Sequence, residues 1–148
     1  MLLKILGSLI IFTACAFLGI YLSAVCKKRP LQLRELQTLL NMFENQICFL
    51  SDVIAEAFER VYESSQSEVG LFFADTVREL EAGAGLSASE AWKLAISKNI
   101  KKTALNKEDE IIIQSCGNIL GSSDLEGQVN NIKITVSKLK LQEQKAEE

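Results

Sequence analysis

The sequence predicts an all-α chain: one N-terminal transmembrane helix followed by a compact six-helix bundle. Three observations carry that prediction. An uncharged run of 22 residues lies near the N-terminus, apolar residues recur at helical spacing beyond it, and a single proline, Pro30, stands among 148 residues. Sandwiches and barrels need many Pro and Gly turns, so the scarcity favours helices. No segment after Pro30 alternates convincingly with period two.

The run from Ile5 to Cys26 reads ILGSLIIFTACAFLGIYLSAVC. At about 1.5 Å per residue it makes a helix roughly 33 Å long, enough to cross a hydrocarbon core of about 30 Å. Its polar side chains are Ser8, Thr13, Ser23 and the hydroxyl of Tyr21. Ser and Thr bond back to their own helix, and Tyr21 stays wet near an interface. A cleaved signal peptide would have a shorter apolar core and a small-residue cleavage site. Lys27, Lys28 and Arg29 end the run and read as membrane-interface bases. They place residues 30–148 on the cytoplasmic side of a cell membrane, with residues 1–29 as the anchor.

After Pro30, placed in the first turn of a helix, Leu36, Leu39, Leu40, Phe43, Ile47 and Leu50 follow helical spacing. Ser51 or Asp52 is suited to cap a second helix with Ile54, Phe58 and Val61 inward. A third helix spans roughly 67–81 and stops at Gly83-Ala84-Gly85. Ser87 and Glu90 form a capping-box pattern for a fourth, which buries Trp92, Ala95 and Ile96. Asn106 caps a fifth, whose first turn holds Glu108, Asp109 and Glu110 at the positive end of the dipole. Ser123 and Glu126 suggest a second capping box before a sixth helix carrying Leu125, Val129, Ile132, Val136 and Leu139. Short connections make neighbouring helices roughly antiparallel.

Chemistry is excluded more readily than assigned. The chain has no histidine, which removes the commonest general base and metal ligand and every Ser-His-Asp, Cys-His or H-E-x-x-H arrangement. No phosphate-binding loop is present, and Gly83 and Gly85 read as a helix stop. The four cysteines have no C-x-x-C spacing and fit a reducing compartment. The cluster Glu108-Asp109-Glu110 is explained by its helix start without a cation. From residue 30 onward 12 basic groups face 19 acidic ones, a net charge of −7 that repels nucleic acid and anionic lipid heads. No catalytic, cofactor-binding or metal-binding residues emerge, and the expectation is a protein that is not an enzyme. Gly117 and Gly121, four apart, flatten one side of the fifth helix for close approach, either inside the bundle or toward a partner.

Three stretches carry a resemblance: Arg29-Pro30-Leu31-Gln32-Leu33-Arg34-Glu35-Leu36 after the apolar run; Gly85-Leu86-Ser87 through Glu90-Ala91-Trp92; and Gly117 to Gln128, with the pattern L-G-x-x-D-x-x-x-Q. They resemble the stage III sporulation protein AB family of endospore-forming bacteria, over nearly the whole chain. The resemblance implies a bundle like the cytosolic domain of the type II secretion inner-membrane platform F proteins. It implies a non-catalytic platform of the complex joining mother cell and forespore, in the mother-cell membrane. Partners would be other stage III sporulation proteins, among them the cytosolic secretion-type ATPase (stage III protein AA). Membrane lipid, no nucleic acid and no cofactor complete the expectation, which is compatible with a homo-oligomer. Gly117, Gly121, Asp124 and Gln128 become the candidate helix-packing or partner motif. Family members end in a second transmembrane helix, which is absent before Glu148. A generic membrane-tethered adaptor or signalling scaffold is the competing reading.

Overall fold

The computed structural model describes residues 1–49, 54–83, 85–121 and 124–147, with the side chains of residues 2–5 and 20–26 outside the description. Six α-helices follow in order: α1 Leu2–Phe49, α2 Ile54–Ser64, α3 Leu71–Glu81, α4 Ala88–Asn99, α5 Lys107–Cys116 and α6 Leu125–Glu147. Single 3₁₀ turns, Ile100–Lys102 and Gly117–Ile119, follow α4 and α5. There is no strand among the described residues.

The helix count departs from expectation at Pro30. Instead of an anchor plus six further helices, the described residues form six α-helices, because the apolar run and the first bundle helix are one continuous α1 with Pro30 inside it. Proline withholds an N–H from the turn before it and costs a helix about 3 kcal/mol. Here the bundle closes around α1 at that residue: Pro30, Gln32, Leu33 and Leu36 are buried. Packing at the proline and along the turn that follows it holds the helix where its own hydrogen bonding is weakest.

The expected membrane span is described only in part. Ile5 and Ile20–Cys26 lie outside the residues whose side chains are described, and among the described residues no helix is long and apolar enough to cross a membrane. Thr13 Oγ1 donates back to the carbonyls of Leu9 (3.0 Å) and Ile10 (2.9 Å), so its hydroxyl needs no partner outside the helix.

Within the bundle, α2 returns antiparallel to α1, with Phe58 stacked on Phe43 at 4.4 Å between ring centroids. Phe73 of α3 and Trp92 of α4 complete an aromatic centre. Antiparallel packing of α6 along the other flank of α1 is fixed by Arg34–Glu143 at one end and Lys133–Glu44 at the other. The stripe from α1 is buried as expected at Leu36, Leu39, Leu40, Phe43 and Ile47. Leu125, expected inside, is 45% exposed because it sits in the first turn of α6, ahead of the packed part.

Helix ends follow the local chemistry. Ser87 and Glu90 form their capping box, and Asn106 pairs with Asp109 in a second. Helix α3 starts at Leu71 rather than near 67, since residues 68–70 form a turn in which Ser67 accepts from the Gly70 N–H. The caps expected at Ser51, Asp52 and Ser123 lie outside the described residues. At the start of α6 the side chain of Asp124 accepts from Gly127 N–H at 3.1 Å, which makes Asp124 the cap.

Candidate functional site

A network of charged and polar side chains surrounds α1 where it leaves the bundle. Arg29 presents its fork to Asp109, with Nε to Oδ2 at 2.9 Å and Nη2 to Oδ1 at 3.0 Å, and Nη2 also reaches Gln142 Oε1 at 3.2 Å. Asp109 is fully buried, and its Oδ2 also accepts the Asn106 backbone N–H at 2.9 Å. One carboxylate thereby joins α1, the cap of α5 and, through Arg29, α6. Hydrogen bonding to Asp109 raises the guanidinium pKa above its ordinary value, against the opposing effect of burial. Bidentate geometry of this kind fixes orientation as well as charge.

A second layer repeats the arrangement. Gln32 donates to Glu68 at 2.5 Å and accepts from the Ala104 N–H at 2.7 Å, while Lys28 pairs with Glu68 at 2.9 Å. Glu143 accepts from Arg34 at 2.7 Å and from Gln37 at 2.6 Å, and Arg34 reaches on to Glu147 at 2.8 Å. The hydrogen bond to Glu143 is the main cause of a raised Arg34 pKa. Residues 28–37 of α1 are thus held by three other parts of the chain. Of the three bases at the end of the apolar run, Lys28 and Arg29 turn to the bundle and Lys27 stays exposed. Glu108 is exposed, Asp109 belongs to the clasp, and Glu110 pairs with Lys107 at 2.8 Å. Sequence reasoning missed the Arg29–Asp109 pair because its partners stand 80 residues apart; the one local signal was an acid at the third position after Asn106.

Gly117 and Gly121 lie at the end of α5 and the turn after it, and Asp124 and Gln128 at the start of α6. Gly117 is buried beneath Trp92, and a Cβ there would lie 2.5 Å from Trp92 Cδ1. The Trp92 indole N–H donates to the Ile113 carbonyl at 2.9 Å, locking the ring in that position. Gly121 is exposed with φ +74°, a left-handed turn conformation that favours glycine. Asp124 caps α6, and the Gln128 N–H donates to its carbonyl at 3.1 Å. Both glycines lie against α4: a Cβ at Gly121 would stand 3.5 Å from the Cβ of Ala88, one turn before Trp92.

Nothing in this arrangement assembles reactive groups. Burial pushes the Cys116 thiol up to about 11, so it stays protonated at neutral pH. No group of three or more Cys, Asp or Glu side chains is placed to hold a metal ion among the described residues.

Fold and site together define a class: an all-helical bundle built onto one long N-terminal helix and clasped to it by buried charge. The family profile for stage III sporulation protein AB matches residues 4–148, and the chain belongs to that family. It is 26% identical over 146 residues to stage III sporulation protein AB of Bacillus subtilis (strain 168), spanning 99% of this chain and 85% of the relative. A solved structure of stage III sporulation protein AB superposes with a TM-score of 0.76 at 25% identity, covering 82% of this chain and 95% of that one.

Proposed function

We propose that the chain is a non-catalytic, membrane-anchored assembly platform of the channel complex between mother cell and forespore. In this reading residues 1–29 are held in the mother-cell membrane and residues 30–148 form a cytosolic docking body for other stage III proteins, among them the secretion-type ATPase. The observation that carries it is the continuity of α1: one helix joins an apolar, outward-facing run to the centre of the bundle. The clasp around Arg29 keeps the bundle from turning about that shaft. Family membership and the likeness to a solved stage III sporulation protein AB support the same role. The uncharged run Ile5–Cys26 and the bases after it support the anchor and its orientation.

Two measurements on the full chain test this reading. It should stay in the membrane pellet through a carbonate wash, and it should co-purify with the sporulation ATPase of the same organism. Release by carbonate, together with normal sporulation after deletion of the gene, would overturn it.

A further inference from the structure

We propose that copies of this chain assemble side by side with parallel α1 helices, the acidic outer face of α2 in one copy seated on the groove between α5 and α6 of the next. The idea rests on the platform reading and adds the surface and the partner, a second copy of this chain.

The groove is apolar with basic edges. Ile134, Lys138, Leu141 and Lys145 follow one another at i, i+4, i+7 and i+11, so they share one face of α6, and all four are exposed. Beside them lies a depression of about 260 Å³ lined by Ile112, Lys138, Leu141, Gln142, Gln144 and Lys145. Leu141 is 58% exposed at its edge. Lys138 and Lys145 make no ion pair among the described residues, although the chain has more carboxylates than bases. An apolar channel between two helices is the usual seat of a third helix.

The complementary face is on α2. Glu56, Glu59, Arg60 and Glu63 share its outer side; Arg60 is taken by Glu56 at 2.7 Å, which leaves Glu59 and Glu63 exposed without an ion pair among the described residues. Since α2 packs between α1 and α3 while α6 packs between α1 and α5, one chain does not bring its own two faces together.

Their heights along α1 agree. Lys133 meets Glu44 and Glu143 meets Arg34 and Gln37, so Lys138, midway, stands level with Leu39 and Leu40. Ser64 meets Met42 and Ser65 meets Glu35, so Glu63 stands at nearly the same level. Copies that share one orientation therefore bring Glu63 opposite Lys138 without tilting. Because the two faces differ, the contact is head-to-tail and propagates into a ring or a row. The net negative charge of the bundle disfavours an anionic lipid surface as the occupant.

Zero-length carbodiimide coupling of full-length protein in detergent tests the contact, with equal amounts of ¹⁴N- and ¹⁵N-labelled copies. Mixed-isotope cross-links between Glu63 and Lys138 are expected. Reversing either face, as E59K/E63K or K138E/K145E, should weaken self-association by about tenfold. Mixing the two reversed proteins should restore it. A wild-type monomer, cross-links confined to other faces, or a failure of the mixture to recover would each overturn the proposal. So would a K138E/K145E variant that keeps wild-type self-association and loses only binding to phosphatidylglycerol vesicles. Carbonate resistance and ATPase binding are read separately, so this contact can fail while the platform reading stands.

Discussion

The two halves of α1 have the same backbone and opposite surroundings. Between Leu6 and Leu18 the large apolar side chains Leu6, Leu9, Ile10, Ile11, Phe12, Phe17 and Leu18 are 58% to 77% exposed. Between Leu33 and Ile47 the stripe Leu33, Leu36, Leu39, Leu40, Phe43 and Ile47 is 5% exposed or less. Burying a large apolar side chain is worth about 1.5–3 kcal/mol. The second half collects that stabilisation from α2 to α6. In the described part of the first half, Leu6 to Leu18, none of these large apolar side chains is buried against the chain itself. Helix formation alone does not distinguish the halves; what surrounds the helix does.

The sharpest way to break the comparison is to truncate one leucine in each half. Leu40→Ala should lower bundle stability by about 2–5 kcal/mol, as in other buried leucine sites. Leu9→Ala should leave it within about 0.5 kcal/mol. Urea unfolding of the detergent-solubilised chain, followed by the fluorescence of the lone Trp92, checks both. Equal effects would mean that the exposed half contributes to the bundle after all.

Between the halves stands the clasp. Asp109→Ala leaves Arg29 without its buried carboxylate and opens the α5 cap, and should cost about 3–5 kcal/mol. Lys28→Ala removes an exposed pair to Glu68 and should cost about 1 kcal/mol or less. If the two variants unfold at the same urea concentration, the junction is held by packing alone.

At the far end of the bundle, Gly117→Ala forces a methyl group into Trp92 and should destabilise by about 1–3 kcal/mol. A shift in Trp92 emission should accompany it. Gly121→Ala strains a left-handed turn without touching the ring, so the same spectral shift there would contradict the packing assigned to Gly117.

How much of this was legible in sequence depended on range. The capping box at Ser87, the cap at Asn106 and the buried stripe of α1 are written in residues three or four apart, and the structure has them. Pro30 misled because its rule is local: the expected helix start gave way to packing supplied by residues far along the chain. The clasp was invisible for the same reason, since Arg29 carries no mark that its partner is Asp109. The spacing of Gly117 and Gly121 marks them as a pair, yet only the fold shows that one lies under Trp92 and the other forms a turn.

The smallest expected effect is the most local and concerns pH. The Ser87 backbone N–H, then its hydroxyl, bonds to Glu90 and holds its carboxyl below the usual carboxylate range. A carboxyl lowered in the folded state stabilises it above the ordinary pKa, and that contribution disappears as pH falls through the lowered value. Wild type should therefore exceed Glu90→Gln in urea midpoint at pH 7, and the gap should close as the pH falls through the lowered value. A constant gap would show that the side chain acts at this cap through shape and not charge. Because Glu90 lies in the first turn of α4, away from α1, neither half of the long helix should respond to the substitution.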